Sequence, residues 1–285
     1  MSTLKIAIQK SGRLLEDSLK LLKDCGISYN DGKDQLKAAV DNFPLEIFYL
    51  RNSDIPQYLE DGVVDIAIIG SNLLVETEKK IDIVESLGFS KCRVSLAVPK
   101  EVETDELSFF QGKKIATSYP NTLSKFLEKN NIQADIHKIS GSVEIAPNIG
   151  LAAGICDIVS SGSTLFKNGL RETKTILKSE AVLASNHNLS DEKKVILEKL
   201  LFRIRAVLKA KKSKYILMNV PNEKIEEVTE ILPVLKSPTV LPLAEEGWSS
   251  IHSVIDDTRF WEVIDELKQA GAQDILVIPI DKMVI

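Results

Sequence analysis

The chain has 285 residues, a length that predicts two or three domains. Its apolar fraction of 44% is sufficient for hydrophobic cores, and its charged fraction of 27% is ordinary for a globular protein. The net charge of −5 argues against a nucleic-acid partner or an anionic membrane surface.

The cysteines and the N-terminus indicate the cellular compartment. Cys25, Cys92 and Cys156 have neither the spacing of a metal site nor that of a disulfide framework. The chain enters an apolar segment at Leu4 without a signal peptide, and no stretch has the length of a membrane span. We therefore expect a cytoplasmic protein with no membrane partner.

The first third of the chain predicts a lobe of strands that alternate with helices. Apolar runs at Leu4–Ile8, Leu45–Leu50 and Val64–Ile69 read as strands, the last one buried on both faces. Polar or small residues follow each strand, where open α/β sheets bind ligands. They are Lys10 and Arg13, then Arg51, then Gly70. A polyanion site and ordinary solvated loop charges explain Lys10 and Arg13 equally well.

A second lobe is predicted beyond the strand Cys92–Val98, with the crossing at Pro99. Ile115–Thr117 begins a new strand–turn–helix unit. A helix is expected to begin around Ser140–Glu144. Glu144 either favours that helix through its dipole or provides a carboxylate for a ligand.

The stretch from Gly154 to Leu165 is the strongest candidate for a site. A β-branched strand containing Asp157 runs into a small polar turn that opens a helix. Such a turn directs backbone N–H groups and hydroxyls at one point, which suits a phosphate. Asp157 could accept bonds from sugar hydroxyls or hold Mg²⁺; a plain helix cap remains an equal alternative. The turn comprises Ser160, Ser161, Gly162, Ser163 and Thr164.

The last part of the chain predicts a separate domain. Strands at 215–220, 239–243, 250–255 and 275–280, with helices at 223–232 and 260–270, give the order β-α-β-β-α-β. This order is that of the ferredoxin-like arrangement, whose members bind small regulatory ligands or dimerise. Periodicity does not choose between these two functions.

Several other chemistries are not supported. The chain contains no P-loop, no dinucleotide-binding glycine motif after a strand and no G-x-S-x-G motif. Its three histidines, His137, His187 and His252, lack the spacing of zinc ligands. What remains is an anionic sugar ligand held between two lobes.

One family resemblance covers essentially the whole chain. The stretches AIQKSGRL, LRNSDIP, DGVVDIAIIG, CRVSLAVP, IATSYPNTL, GSVEIAPNIGLAAGICDIVSSGSTL, SKYILMNVP and SPTVLPLA resemble, in order, the ATP phosphoribosyltransferase family in its long form. The most specific part runs from Glu144 to Leu165.

The resemblance implies a fold and a division into domains. The fold is α/β, with a two-lobed catalytic part like periplasmic binding proteins and a ferredoxin-like regulatory domain. Residues 1–98 with 181–210 would form lobe I, residues 99–180 lobe II, and residues 214–285 the domain that binds histidine.

The resemblance also implies a reaction: N1 of the adenine of ATP attacks 5-phosphoribosyl-1-pyrophosphate, and pyrophosphate leaves with Mg²⁺. Such a site mainly orients polyanions and stabilises charge. Asp157 and the turn from Ser160 to Thr164 would hold the ribose 5-phosphate, and Glu144 would lie near the ribose. Lys10, Arg13 and Arg51 would face the phosphates of ATP and the pyrophosphate. Gly70 is a candidate substrate-binding residue because it lies just past the end of a strand.

Regulation and assembly are implied in the same way. Histidine would inhibit at Ser237, Thr239, His252 and Ser253, AMP would also inhibit, and the chain would form homodimers and hexamers. Two other hypotheses compete with the enzyme: a two-lobed protein that binds or senses a small anion without catalysis, and an inactive partner subunit. The phosphate turn argues against the first, and the retained charged residues argue against the second.

Overall fold

The structure is a computed structural model that describes residues 2–30, 36–232 and 237–284. It divides into two compact units, one of Met1–Lys20 with Ile27–Leu197 and one of Leu21–Gly26 with Glu198–Ile285. Among the described residues, no helix is both long and apolar enough to cross a bilayer.

The strands of the described residues are numbered in chain order. They are β1 (Leu4–Gln9), β2 (Lys37–Ala39), β3 (Leu45–Leu50), β4 (Ile66–Gly70), β5 (Ile81–Ser86), β6 (Cys92–Pro99), β7 (Lys114–Thr117), β8 (Asp135–Lys138), β9 (Gly154–Val159), β10 (Leu170–Ser179), β11 (Ala181–Asn186), β12 (Ser213–Pro221), β13 (Thr239–Pro242), β14 (Trp248–Asp256) and β15 (Gln273–Pro279).

The α-helices are numbered in the same way. They are α1 (Arg13–Asp24), α2 (Ile55–Glu60), α3 (Ser71–Thr77), α4 (Pro120–Lys129), α5 (Ser163–Lys167), α6 (Asp191–Lys211), α7 (Ile225–Ile231) and α8 (Asp257–Gln269). Short 3₁₀ turns occur at Leu107–Phe110, Val143–Ile145 and Asn222–Lys224.

The first sheet has the order β2-β3-β1-β4-β11-β5. β1 runs parallel to β3 and β4, so the carboxyl ends of these three strands meet at one edge. β4 is buried on both faces, as a covered parallel sheet requires, and Ile66, Ala67, Ile68 and Ile69 are fully inaccessible to solvent. Along β3, by contrast, buried and half-buried residues alternate, so only one of its faces is fully covered. This burial explains why the sequence shows a continuous apolar run at β4.

The second sheet has the order β10-β6-β9-β7-β8, with β7 parallel to β8 and β9. β6 pairs with β9 and β10, so the chain enters this sheet before Cys92. The sequence suggests the crossing at Pro99, which is instead the last residue of a strand inside this sheet. The chain returns to the first sheet between Ser179 and Ala181, close to the expected boundary at residue 180.

The second unit contains a sheet of order β13-β14-β12-β15, in which every pair is antiparallel. With α7 and α8 it completes the predicted ferredoxin-like β-α-β-β-α-β order. One face packs with the helices around a core that includes Ile216, Met218, Val220, Ile251 and Leu267. The α/β fold class predicted from the sequence is therefore confirmed, with two sheets in the first unit and a ferredoxin-like second unit.

Candidate active site

A cavity of about 640 Å³ lies in the first unit, lined by residues that follow the carboxyl ends of strands in both sheets. Gln9, Asn52 and Gly70 come from the ends of β1, β3 and β4, and Val159 ends β9. Open α/β sheets bind ligands at this edge because loops and helix starts expose polar groups there. The volume is in the range of small-molecule sites.

The serine-rich turn after β9 lines this cavity along its whole length. Ser160, Ser161, Gly162, Ser163 and Thr164 are all at its wall. Gly162 has a φ of +79°, a left-handed conformation that favours glycine, and α5 begins at the next residue. The hydroxyls of Ser161 and Ser163 lie 3.0 Å apart. The predicted strand–turn–helix is therefore present, and its turn lines the cavity.

Asp157 lies on β9 and also lines the cavity. Ser118, which follows the parallel strand β7, donates its hydroxyl to Asp157 Oδ1 at 2.7 Å. Burial raises the pKa of the Asp157 carboxyl, the bonds from Ser118 and the Ile158 backbone N–H lower it, and the charge of Glu144 raises it. The net shift is upward, so additional donors from a ligand would favour the ionised carboxylate.

Glu144 lines the same cavity, half-buried. The helix expected to begin around Ser140–Glu144 is only a 3₁₀ turn, Val143–Ile145, preceded by Ser142 with a φ of +49°. So short a turn has little dipole to favour a carboxylate. Glu144 is therefore better explained by the cavity than by helix capping.

The predicted cations divide into two groups. Arg13, in the first turn of α1, lines the cavity, whereas Lys10 and Arg51 are exposed and do not. The backbone N–H of Lys10 still donates to Leu50 at 2.9 Å, which extends the strand pairing past Gln9. Gln9, the last residue of β1, lines the cavity, and alternation of side chains along an extended chain explains why the next residue, Lys10, does not. After β3, it is Asn52 rather than Arg51 that reaches the wall.

Gly70 is at the wall for a packing reason that the sequence did not reveal. A Cβ atom there would lie 2.3 Å from Asn72 Oδ1. Asn72 is 3% exposed, donates to the Tyr119 hydroxyl at 2.8 Å and accepts from the Ser179 hydroxyl at 2.8 Å. Gly70 leaves the room that this buried amide needs.

Arg93 holds the start of the serine-rich turn, and sequence reasoning missed it. Its guanidinium makes a two-pronged contact with the Glu172 carboxylate and donates to the Ser160 carbonyl at 3.0 Å. This contact lowers the pKa of Glu172 and raises the pKa of Arg93. The pairing spans two strands of the second sheet, so no local pattern indicates it.

Other wall residues were also missed. They include Asp17, Asn52, Asn72, Ser90, Lys91 and Cys92. Asn52 Oδ1 is a buried acceptor with no hydrogen-bond partner among the described residues, so it is open to a donor from a ligand. Ser118 had a usable signal, because it follows a predicted strand in a strand–turn–helix unit.

The candidate regulatory residues lie in the second unit. Thr239 is directly opposite His252 in the pairing of β13 with β14, and Ser237 is exposed just before β13. The Tyr215 hydroxyl lies 2.8 Å from His252 Nδ1. Ser253 is the next residue of the same strand, so its side chain faces the opposite side of the sheet from His252.

No group of three or more histidine, cysteine, aspartate or glutamate side chains within residues 2–30, 36–232 and 237–284 is arranged to hold a metal ion. The cavity therefore contains carboxylates and cations without a protein metal cage.

The fold and this cavity define a two-lobed α/β ligand-binding architecture. The solved structure of Tv2483 bound to L-arginine shares the fold, with a TM-score of 0.51 and 12% identity over 73% of this chain and 85% of that one. A Thermotoga maritima chain, from a structure described as the ATP phosphoribosyl transferase (HisG:HisZ) complex, is more similar. It has a TM-score of 0.63 and 30% identity over 73% of this chain and 98% of that one.

Sequence comparisons narrow the class to one family. Residues 51–206 match the family described as HisG: ATP phosphoribosyltransferase, and residues 210–282 match HisG, C-terminal domain. The ATP phosphoribosyltransferase of Cytophaga hutchinsonii is 59% identical over 100% of both chains. That of Bacteroides thetaiotaomicron is 53% identical over 99% of this chain and 100% of its own.

The chain belongs to the ATP phosphoribosyltransferase family. It is therefore a pentosyltransferase of histidine biosynthesis, and the enzyme hypothesis is confirmed over the non-catalytic binding protein.

Proposed function

We propose that the cavity of the first unit is where the enzyme joins 5-phosphoribosyl-1-pyrophosphate to N1 of the adenine of ATP. A bond forms between N1 and the anomeric carbon, and the bond from that carbon to pyrophosphate breaks, its electron pair leaving with pyrophosphate. One observation carries the proposal: the serine-rich turn, Asp157, Glu144 and Arg13 line a single cavity.

The serine-rich turn binds the 5-phosphate of the sugar. Gly162 allows close approach, and the first N–H groups of α5 and the hydroxyls of Ser161, Ser163 and Thr164 are donors for its oxygens. Asp157, already held by Ser118, accepts from the ribose hydroxyls. Glu144, at the wall of the same cavity, provides negative charge that stabilises the oxocarbenium-like transition state.

Adenine N1 has a free lone pair, so the reaction needs no strong general base. The enzyme instead orients two polyanions and stabilises the charge that develops on pyrophosphate. Arg13 and Lys91 are cations at the cavity wall that serve this role. Lys10 and Arg51 lie outside the wall and contribute at longer range, where solvent screens their charge.

Two carboxylates at the cavity wall, Asp157 and Glu144, fit a Mg²⁺ ion that arrives with phosphoribosyl pyrophosphate. Mg²⁺ commonly binds through one or two carboxylates together with substrate phosphates and water. Asp157 and Glu144 line the same cavity, so their carboxylates would be the groups that hold the ion or its waters. An ion held there would neutralise part of the charge on the departing pyrophosphate.

The second unit binds histidine as a feedback inhibitor. Thr239, His252 and the Tyr215 hydroxyl form a polar group on one sheet face, with Ser237 at its edge. Ser253 contributes through its backbone, because its side chain faces the other side. AMP, which shares the adenine and ribose of ATP, competes at the catalytic cavity.

The chain forms homodimers and hexamers in the cytoplasm, where its nucleotide substrate is present. The outer face of the C-terminal sheet supports assembly, since Leu276 and Ile278 are 55% and 43% exposed on it. Sedimentation velocity with and without histidine measures the assembly; a monomer under all conditions contradicts it.

The activity is tested by absorbance with ATP, phosphoribosyl pyrophosphate, Mg²⁺ and a pyrophosphatase that removes product. We expect phosphoribosyl-ATP, and its absence would refute the proposal.

Histidine should inhibit without competing with ATP, and His252→Ala should abolish inhibition with basal turnover intact. Gln273→Ala, at the start of β15, is the matched control. Retained inhibition in His252→Ala would refute the histidine site.

A further inference from the structure

Helix α3 joins the two sheet halves of the first unit through contacts that the reaction chemistry does not use. It follows β4 of the first sheet directly. At its start, the backbone N–H of Asn72 donates to the Ser179 hydroxyl at 3.0 Å, and the Asn72 amide donates to the Tyr119 hydroxyl. Ser179 and Tyr119 belong to segments of the second sheet half. The start of α3 is therefore bound across the two halves.

The end of α3 makes a second contact across the halves through Glu76. This side chain is only 8% exposed, and its carboxylate accepts from the backbone N–H groups of Asn121 at 3.0 Å and Thr122 at 2.9 Å. It also accepts from the Thr122 hydroxyl at 2.7 Å. The Asn121 amide in turn donates to the Glu76 carbonyl at 2.9 Å.

Glu76 replaces the cap that α4 lacks in its own sequence. The residue at the N-cap is Tyr119, whose side chain makes no capping bond, and Pro120 has no N–H. The first free N–H groups of α4 are thus those of Asn121 and Thr122, which Glu76 satisfies. A buried carboxylate with several donors is a strong and directional contact.

The segment fixed by Glu76 also holds the acid of the candidate site. Residues 117–122 are consecutive, and nearly every one has a defined partner. Thr117 donates to the Cys156 carbonyl at 2.6 Å, and Ser118 donates to Asp157 at 2.7 Å. Cys156 and Asp157 are neighbours on β9. A displacement at Asn121 and Thr122 would therefore move the Ser118 hydroxyl relative to Asp157.

We propose that Glu76 is a positioning residue for phosphoribosyl transfer: by fixing the start of α4 it holds the Ser118–Asp157 pair in place at the cavity. Glu76 does not line the cavity and touches no substrate there. The inference rests on the proposed role of Asp157 in holding the ribose.

The test is a double-mutant cycle with Glu76→Gln and Asp157→Asn, measured as kcat/KM for phosphoribosyl pyrophosphate at saturating ATP. Glu76→Gln keeps the side-chain shape but turns an amide NH₂ towards a donor. We expect kcat/KM to fall about tenfold, the loss of one well-placed hydrogen bond. The fold-loss in kcat/KM of the double variant should be smaller than the product of the two single fold-losses, because both substitutions act on the Ser118–Asp157 pair.

Glu78→Gln is the matched control. Glu78 also reaches from the end of α3 to α4, where it pairs with Lys125 at 2.7 Å, but both side chains are exposed. Glu78→Gln should change kcat/KM by less than about twofold, because exposed ion pairs contribute little. In the double variant Glu78→Gln/Asp157→Asn, the fold-loss in kcat/KM should equal the product of the two single fold-losses, because the two sites are independent. Thr122→Val, which removes one bond to Glu76 and keeps a branched shape, is the second variant should Glu76→Gln fail to fold.

Two results would overturn the proposal. In the first, Glu76→Gln and Thr122→Val lower the melting temperature but leave kcat/KM at the wild-type value, which is a purely structural role. In the second, the fold-losses in kcat/KM caused by Glu76→Gln and by Thr122→Val each multiply fully with the loss caused by Asp157→Asn, which means that Glu76 does not act through Asp157. If Asp157→Asn alone leaves kcat/KM unchanged, the proposed ribose site is refuted first, and the role of Glu76 falls with it.

Discussion

The two sides of the catalytic cavity differ in how they supply their binding groups. On the second-sheet side, Asp157 and the serine-rich turn come from one continuous stretch that follows β9. On the first-sheet side, Gln9, Arg13, Asn52 and Gly70 come from three separate strand ends. On the second-sheet side, the local conformation after β9 is sufficient to place backbone donors and short side chains at the cavity. On the first-sheet side, whether a long cationic side chain reaches the cavity depends on the direction in which its loop position faces.

Among substitutions that test this difference between the two sides of the cavity, Gly162→Val should have the largest effect. A β-branched residue is strained at a φ of +79°, and its side chain would occupy the place proposed for the phosphate. We expect kcat/KM for phosphoribosyl pyrophosphate to fall about 100-fold or more, from steady-state assays.

Gly150→Val is the control for this strain. Gly150 has a φ of +72°, a Cβ added there would meet no atom within 4 Å, and the residue does not line the cavity. The substitution should lower the melting temperature without a comparable loss of kcat/KM. Equal kinetic losses in the two variants would mean that the turn acts only through stability.

Asp157→Asn should have the next largest effect. Loss of the charged acceptor for ribose hydroxyls should lower kcat/KM about tenfold to 100-fold. Asp135→Asn, on the exposed edge strand β8, is the control and should remain near wild type. An unchanged kcat/KM in Asp157→Asn would refute the proposed role of Asp157 in binding the ribose.

The same variant has an expected effect on stability that depends on pH. The folded-state pKa of Asp157 is raised by burial, so the folded protein keeps a proton that the unfolded chain has released. Wild-type stability should therefore fall as pH rises from about 4, the ordinary aspartate pKa, through the raised value. The melting temperature of Asp157→Asn relative to wild type should increase over this interval. A constant difference from about pH 4 to about pH 8 would contradict the shift.

Arg13→Ala tests whether placement at the cavity wall decides which cation on the first-sheet side matters for activity. Arg13 is at the cavity wall, whereas Lys10 and Arg51 are not, so Arg13→Ala should lower kcat about tenfold and the other two changes about twofold. All three positions are exposed, so melting temperatures should remain similar. Equal kinetic losses at the three positions would show that overall positive charge, not placement, matters.

Arg93→Gln should have a smaller effect than Arg13→Ala. It removes the bond that holds the Ser160 carbonyl and leaves Glu172 without its cation, so KM for phosphoribosyl pyrophosphate should rise about fivefold. Arg171→Gln is the control, since Arg171 pairs with Asp105 and with backbone carbonyls of Val102 and Thr104. Similar KM changes in both would mean that neither guanidinium acts through the turn.

The sequence by itself determined the main buried strands, the order of elements in the C-terminal domain and the turn after β9. Continuous apolar runs predicted the buried strands, the β-α-β-β-α-β order predicted the third sheet, and glycine and serine after β9 predicted a turn that opens a helix. Each of these follows from conformational preferences over a few residues. Family resemblance then supplied the reaction that composition and periodicity left open.

Only the tertiary structure decided which side chains share the cavity and what holds them. Gln9 lines the cavity whereas the next residue, Lys10, does not, and β6 belongs to the second sheet already before Pro99. Glu76 caps α4 from 45 residues away, and Arg93 reaches Ser160 from 67 residues away. Such contacts depend on the packing of distant segments, for which a short stretch of sequence contains no signal.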